Sequence, residues 1–274
     1  MDFIRVRASS DGAEVISYWT GDVYGVQDDD GPHHLFGFEG LNVARAVETG
    51  TGWQLLTREA ALYLDPATRQ VLDTWDNPFT GRAVEVRHVF NDPVNQRLGA
   101  YPVPETRLGG QVVYNVDVRL AYPSPLKVAD YPDNSASDTY RALELFQFFV
   151  SAADLESGVP DIPCVFSWCR VSPWLPWMAM AQRGGGLVYH CRGAKVAEVP
   201  ERLRERVGEH FLHAPARWSA PNVTSWTAFR DAPTGTGDAP TAFSDAPTAF
   251  SDAPTAFSDD LTGFGDGTTR EAGR

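Results

Sequence analysis

Apolar and polar residues alternate along much of the first half of the chain, a pattern that predicts β-strands with one buried face. Such strands are expected in SYWTGDVYGV, in HHLFGFEGLNVARAV and in GQVVYNVDVRLAYP. Residues 57–90 contain three further runs, separated by DPATRQ and DNPFTG, whose Asp, Asn, Pro and Gly residues favour tight connections. Consecutive strands joined in this way predict an antiparallel meander.

Helical periodicity is found in two places. SASDTYRALELFQFFVSAADL offers Ser137 or Asp138 as a cap and carries apolar side chains at helical spacing, so a buried helix is expected there. PERLRERVGEHFL is amphipathic and places Pro200 in the first turn of a second helix, whereas LVYHCRGAKVAEV predicts a late hairpin. Many strands and two helices predict a mainly β fold over residues 1–227, an antiparallel, lipocalin-like β-barrel with a few covering helices.

The last part of the chain has a different composition. DAPTGTG, three copies of DAPTAFS and DDLTGFG repeat with a period of seven from Asp231 to Gly265. Proline in the first four units excludes a coiled coil, and one large apolar residue per unit is too little to build a core. Residues 228–274 are therefore predicted to form a disordered tail. The repeats are either a neutral duplication or an array of docking motifs in which each Phe is an anchor.

Charge and cysteine content narrow the classes of partner and compartment. The net charge of -13 argues against nucleic acid and anionic membrane surfaces as partners, because both need clustered Lys and Arg. No apolar run is long enough to span a membrane, and the first residues lack the apolar core of a signal peptide. The three cysteines are expected to be reduced thiols, which predicts a cytoplasmic protein without a metal site. The oligomeric state stays open.

His88 is the first candidate for chemistry. In RAVEVRHVFNDPVN it shares a strand face with apolar neighbours, so it is either a satisfied core histidine or a titrating group in a pocket. Asp92 and Asn95 follow at the strand end, where the rim loops of a barrel carry side chains into its mouth. We therefore expect His88 to act as acid or base, with Asp92 as a candidate partner.

Two further stretches place charged or phenolic groups on strand faces. In TREAALYLD, Glu59 and Tyr63 share one face and could serve as a general acid and a proton donor in a lined cavity. Alternatively this face points to solvent, and Leu62 and Leu64 on the opposite face mark the core. In FEGLNVARAV, Glu39 and Arg45 have the same ambiguity, and an inward pair would be informative because burying it is costly.

The stretch SWCRVSPWLPWMAMAQRGGGLVYH concentrates tryptophan, arginine and proline. Its prolines exclude a regular helix through WLPW, so this extended segment either plugs one end of the barrel or lines a ligand space. The expected ligand-contacting residues are Trp168, Trp174, Trp177, Arg170, Tyr114 and Asn95.

Several long motifs occur together in one order: EGLNVARAV, REAALYLDPATRQVLDTWDNPFTGRAVEVRHVFNDPVN, YPSPL and SWCRVSPWLPWMAMAQRGGGLVYHCRGAKV. Over roughly residues 13–217 the chain resembles a bacterial and fungal family catalogued as domain of unknown function 1838. The resemblance implies one domain and brings no activity, cofactor or catalytic residue with it. The repeat tail is not part of the family pattern.

Two functions remain open on this basis. The first is a cofactor-independent enzyme that carries out isomerase, cyclase or lyase chemistry on a hydrophobic terpenoid- or polyketide-like molecule in an aromatic-lined barrel. Its predicted acid–base and stabilising residues are His88, Glu59, Asp92, Tyr63 and Arg45. The second is a non-catalytic, lipocalin-like carrier of a hydrophobic ligand. No GxGxxG, P-loop, HExxH or GxSxG motif is present, so nucleotide, NAD and zinc chemistry have no support in the sequence.

Overall fold

The structure, a computed structural model, describes residues 2–27, 30–92, 95–99, 103–208 and 213–214, with residues 90–92 described by their backbone alone. The elements, in chain order, are α1 Asp2–Arg7, β1 Val15–Gln27, β2 Asp30–Thr49, β3 Gly52–Leu64, β4 Thr74–Asn77, β5 Arg82–Glu85, β6 Val89–Asp92, β7 Gln96–Gly99, β8 Glu105–Leu108, β9 Gln111–Pro123, β10 Thr139–Ser151, α2 Ala152–Glu156, β11 Val165–Ser172, the 3₁₀ turn Pro176–Met178, β12 Gly186–Val196 and α3 Glu201–Val207.

Within this described part, ten strands form one antiparallel sheet that curls into a half-barrel. Its strand order is β6-β3-β2-β1-β12-β11-β10-β9-β8, and β7 also pairs with β3. The remaining two strands, β4 and β5, form a separate hairpin. The predicted mainly β, barrel-like fold with few helices is therefore confirmed. The predicted late hairpin is wrong, because β12 is a single strand that pairs with β1 on one side and β11 on the other.

The inner, concave face of the sheet carries the main hydrophobic core. Its buried aromatic residues are Phe3, Trp19, Phe36, Phe38, Tyr63, Trp75, Tyr114, Phe148, Phe166, Trp168, Trp174, Trp177 and Tyr189. Gly40 permits this packing, because a Cβ atom there would lie 2.5 Å from Cζ2 of Trp19 and 2.6 Å from the carbonyl oxygen of Ala60. Large rings and backbone thus pack closely around Gly40.

The outer, convex face of the sheet is covered where helix α3 packs on it. Leu203 and Val207 of this helix contact a second apolar cluster that includes Leu41, Leu62 and Leu64. Strand β3 is therefore buried on both faces, with Tyr63 inside the half-barrel and its neighbouring leucines outside. The alternative that Tyr63 points to solvent is excluded by this placement.

The helix expected near residues 137–155 is wrong. Residues 139–151 form strand β10, and only Ala152–Glu156 is helical. Strand β10 pairs along its length with β9 and along its second half with β11, so its backbone hydrogen bonds are made within the sheet. The aromatic residues and the valine of LFQFFV favour a strand, although their spacing also fits a helix. Pairing with the neighbouring strands β9 and β11 stabilises the strand.

Other predictions concern the end of the chain and the membrane. Helix α3 confirms the start of the second predicted helix, whose last residues, 209–212, lie outside the described part, as does the predicted tail, residues 228–274. Among the helices that the structure describes, none combines the length and the apolar character needed to cross a bilayer.

Candidate functional site

Trp168 lies at the centre of the aromatic interior. Its ring centroid is 5.8 Å from that of Tyr189, 6.1 Å from those of Trp19 and Phe38, and 6.2 Å from that of Phe146. These residues come from five strands whose inner faces converge, since Trp168 is on β11 and its contacts are on β1, β2, β10 and β12. The polar groups described next surround this central ring.

Two phenols meet across this interior. The hydroxyl oxygens of Tyr63, on β3, and Tyr189, on β12, lie 3.1 Å apart and form a buried hydrogen bond. Burial raises the pKa of Tyr63 to about 12 and also raises the pKa of Tyr189 well above its ordinary value. Both phenols therefore keep their protons at neutral pH and are able to donate hydrogen bonds.

Arg170 brings a permanent positive charge to the same face. Its Nη2 donates to the Tyr140 hydroxyl at 2.6 Å, and its Nη1 lies 3.1 Å from a carboxylate oxygen of Glu144. The guanidinium carbon also lies 5.9 Å from the ring centroid of Tyr189. Burial lowers the pKa of Arg170, but Tyr140 and Glu144 outweigh burial and raise it well above its ordinary value.

Arg7, on helix α1, brings a second guanidinium to the interior, where its carbon lies 5.2 Å from the ring centroid of Phe148. Burial lowers the pKa of Arg7, and Cys164, Glu59 and Glu144 partly oppose this effect. Glu59 lies on the same face of β3 as Tyr63, as its strand position predicted. The contact described among these charged groups is the ion pair between Arg170 and Glu144.

Solvent reaches the ion pair of Arg170 and Glu144 more easily than it reaches the two phenols. The side chains of Arg170 and Glu144 are 25% and 16% exposed, and Phe146 beside them is half-buried. Tyr63 and Tyr189 are almost completely buried. A molecule entering the half-barrel would therefore meet the charged pair first and the phenols next.

Some buried donors near these groups have no partner among the described atoms. They include the indole N–H groups of Trp168 and Trp177 and the Nε of Arg170. A buried donor without an acceptor costs about 1–3 kcal/mol, so such groups usually bind water or a ligand. The interior therefore offers several hydrogen-bond donors to an incoming oxygen atom.

The WLPW segment packs against the aromatic interior. Pro176–Met178 forms a 3₁₀ turn that buries Trp177 against Tyr63, with ring centroids 5.6 Å apart. The amide of Asn77 donates to the Met178 carbonyl, and Trp174 donates its indole N–H to the Arg183 carbonyl. Trp177 therefore forms a wall of the phenol site, and the plug and ligand-lining interpretations of the segment both stay predictions.

His88 contacts the backbone of Tyr63. Its Nδ1 accepts a hydrogen bond of 3.1 Å from the backbone N–H of Tyr63. Burial and the nearby positive charge of Arg206 lower the pKa of His88 to about 4. Because Nδ1 is an acceptor, the neutral ring carries its proton on Nε2. These contacts position Tyr63, and a role of His88 in proton transfer stays a prediction.

The structure separates other predicted site residues from the phenols. Arg45 lies on the outer face and binds Glu14 at 3.0 Å instead of Glu39. Tyr114 is buried beside Phe3 near α1, 5.4 Å between ring centroids, where burial raises its pKa to about 12.

Two more predicted site residues lie along the edge of strand β3. Asn95 is buried and its side-chain oxygen accepts from the backbone N–H of Thr57. The backbone of Asp92 pairs with Glu59. These two residues belong to the sheet edge, and the phenol site is assembled by other strands.

Sequence reasoning missed four residues of this site. Tyr140, Glu144 and Tyr189 have no predicted role, because the sequence pattern favours a helix for β10 and a hairpin for β12. Arg7 lies on α1, a helix that the sequence pattern does not indicate. The signal was present in β10, whose inward residues follow a period of two. These inward residues are Tyr140, Ala142, Glu144, Phe146, Phe148 and Val150.

A second buried carboxylate lies on the outer face. Glu39 is completely buried, and its Oε2 accepts from the Tyr18 hydroxyl at 3.0 Å and from Nη2 of Arg202 at 2.5 Å. The other oxygen, Oε1, has no partner among the described atoms. Arg202 belongs to α3, so this ion pair attaches that helix to the sheet.

The described residues contain no group of three or more His, Cys, Asp or Glu side chains suited to hold a metal ion. The three cysteines are free thiols. Burial raises the pKa of Cys164 to about 11 and that of Cys191 to about 12, so neither is a ready nucleophile.

Comparison with known proteins agrees with the resemblance noted from the motifs. A search of curated proteins found no match. The family model described as "Protein of unknown function (DUF1838)" matches residues 12–232, which include the whole half-barrel from β1 to α3. The chain therefore belongs to the DUF1838 family.

Proposed function

We propose that the concave face binds a small, mainly apolar molecule with one oxygen acceptor and carries out acid–base chemistry on it without a cofactor. The observation that supports this most is the pair of protonated phenols, Tyr63 and Tyr189, 3.1 Å apart beside the Arg170 guanidinium. Donors held in a low-dielectric site stabilise negative charge that develops on a substrate oxygen. A carbonyl compound that passes through an enolate would use such donors directly.

Each polar group has a role in this scheme. Tyr63 and Tyr189 donate hydrogen bonds to the substrate oxygen, and Arg170 stabilises its negative charge. The carboxylates on the same face, Glu144 and Glu59, are the candidates for moving a proton to and from carbon. The rings around Trp168 hold the apolar part of the molecule. The reaction classes that fit are isomerisation, cyclisation and elimination.

His88 enters this scheme as a positioning residue. Its acceptor contact with the Tyr63 backbone fixes the strand from which that phenol projects. A proton-transfer role would require His88 to exchange this backbone contact for one with the substrate.

A carrier of a hydrophobic ligand is the second candidate. Two observations favour it: the interior is densely lined by aromatic rings, and His88 is bound to the backbone. A carrier needs apolar walls and a few orienting donors, but no proton transfer to carbon.

Hydrogen–deuterium exchange on a probe ketone distinguishes the two functions. The full chain is incubated in D₂O with β-tetralone, an aromatic ketone with acidic C–H groups beside its carbonyl, and exchange is followed by NMR. The enzyme proposal predicts protein-dependent exchange that falls about 10–100-fold in Arg170→Gln. Arg192→Gln is the matched control, because Arg192 is an exposed arginine on the outer face of β12.

The possible results distinguish the enzyme from the carrier. Binding of the ketone without faster exchange would support the carrier and exclude the enzyme for this substrate class. Equal exchange in both arginine variants would place the chemistry elsewhere and overturn the assignment to the concave face.

A further inference from the structure

An open apolar depression lies on the outer face of the sheet, away from the phenol site. Its volume is about 480 Å³. The residues that line it are Tyr18, Thr20, Phe149, Val165, Phe166, Ser167, Arg192, Gly193 and Ala194. They come from four neighbouring strands, β1, β12, β11 and β10. The depression is therefore a feature of the rigid sheet.

Gly193 and Phe166 are paired in the sheet and both contribute to the lining of this depression. A Cβ atom on Gly193 would lie 2.3 Å from Cζ of Phe166, a residue of the interior core. Glycine at this position therefore leaves room for that ring on the inner face, and the outer surface here consists of backbone flanked by the side chains of Tyr18, Val165 and Arg192.

The rim of the depression exposes apolar side chains that a sheet normally covers. Val165 is 55% exposed at the rim. Val171, on the same face of β11 but outside the depression, is 45% exposed. Arg192 is the only formally charged residue in the lining.

The described chain ends beside this surface. The backbone N–H of Ala214 donates to Glu14 at 2.9 Å, and the His213 ring lies 3.0 Å from the same carboxylate. Ala214 is buried in the outer apolar cluster, against which Tyr18 also packs. Because Tyr18 lines the depression as well, the exit point of the chain and the depression are neighbours.

The residues that follow have the composition of a covering segment. WSAPNVTSWTAF, residues 218–229, contains three large aromatic residues and no charge. The family model continues to residue 232, so this segment belongs to the family domain, whereas nearly all of the repeats lie beyond it. Trp226 is twelve residues beyond Ala214, a separation that spans up to about 40 Å when extended. Strands are about 4.8 Å apart, so the whole depression is within reach.

We propose that the segment Trp218–Phe229 docks into this outer depression, with an aromatic side chain seated among Tyr18, Phe149 and Val165. The segment matches the apolar lining, follows directly from a fixed exit point and is long enough. The acidic repeats carry one Phe in seven residues and fit less well. Docking would complete the domain and make the repeats project from the outer face, independently of the chemistry inside.

Photo-crosslinking in the full chain tests this proposal. Benzoylphenylalanine replaces Trp226, and in a separate protein it replaces Phe250 in the repeats as a control. Crosslinked peptides are identified by mass spectrometry, with ¹⁴N- and ¹⁵N-labelled protein mixed to separate contacts within one chain from contacts between chains. The expected result is crosslinking from position 226 to peptides that contain Val165 or Arg192 of the same chain.

Two aspartate variants sharpen the test. Val165→Asp places a charge at the rim and should reduce this crosslink about tenfold. Val171→Asp is the matched control, because Val171 is on the same strand face but does not line the depression. An equal loss in both variants would overturn the proposal.

The other possible crosslinking results also test the docking proposal. Crosslinking to the depression from position 250 would assign it to the repeats, and mixed-label products would assign it to a second copy of the chain. An absence of crosslinks between position 226 and the depression would show that the segment does not dock there. Each of these results contradicts docking of Trp218–Phe229.

Discussion

The hydroxyl groups of Tyr63 and Tyr189 form a hydrogen bond of 3.1 Å across the half-barrel, although 126 residues separate them in the chain. The contact joins β3 to β12, two strands that are not neighbours in the sheet. It is possible because the sheet curls and its inner faces converge. Curling thus creates the site that the proposed chemistry needs.

A double-mutant cycle measures this contact. Tyr63→Phe leaves the Tyr189 hydroxyl buried without its partner, so we expect a loss of about 1–2 kcal/mol in the free energy of unfolding. Tyr189→Phe should cost a similar amount, and the double variant less than the sum, because neither hydroxyl then lacks its partner. Urea denaturation followed by circular dichroism provides the three values. Strict additivity would show that the hydroxyls are not coupled.

The pH dependence of stability reports on His88. Its pKa is about 4 in the folded chain and about 6.5 when unfolded. Between these values the unfolded chain binds the extra proton, so the free energy of unfolding falls as the pH drops through this window. The expected loss is up to about 3 kcal/mol.

His88→Asn supplies the control for this measurement, because asparagine keeps an acceptor for the Tyr63 N–H and does not titrate. Urea denaturation at pH 7, 5.5 and 4.5 should show a smaller loss on acidification for the variant than for the natural chain. Parallel pH profiles for the two proteins would mean that His88 is not buried in its neutral form.

The outer ion pair between Glu39 and Arg202 makes a different prediction. Arg202→Ala leaves a fully buried carboxylate with the Tyr18 hydroxyl as its remaining described partner, so we expect a loss of about 3 kcal/mol. Arg206→Ala, on the same helix, removes an exposed pair with Asp73 and should cost less than about 1 kcal/mol. Thermal unfolding at neutral pH compares them. Equal losses would mean that burial of Glu39 has no energetic consequence.

The sequence predicted the mainly β class and most strands, because alternation is strong where one face is buried. It failed at β10, where LELFQFF satisfies helical and strand periods together and the neighbouring strands decide. The candidate site shows the same contrast between local patterns and contacts made by distant strands. Tyr63, Trp168 and Arg170 were identified by their local patterns, whereas Tyr189 and Glu144 became visible only through the register of distant strands.

Close packing at Gly40 provides a test of the interior itself. Gly40→Ala would bring a methyl group within 2.5 Å of the Trp19 ring, so we expect a loss of about 1–3 kcal/mol in the free energy of unfolding. Gly50→Ala is the matched control, since no atom lies within 4 Å of its Cβ position. Denaturation midpoints measure both. A neutral Gly40→Ala variant would show that the aromatic core is loosely packed.

Native mass spectrometry tests the central claim, that the concave face binds a small molecule through Arg170, most directly. The full chain is purified from a bacterial host and its mass is measured before and after denaturation, alongside Arg170→Gln and Val165→Asp. We predict an additional organic mass on the natural chain that is retained in Val165→Asp and lost in Arg170→Gln. A bare polypeptide mass in all three proteins, or a ligand retained by Arg170→Gln, would contradict the claim.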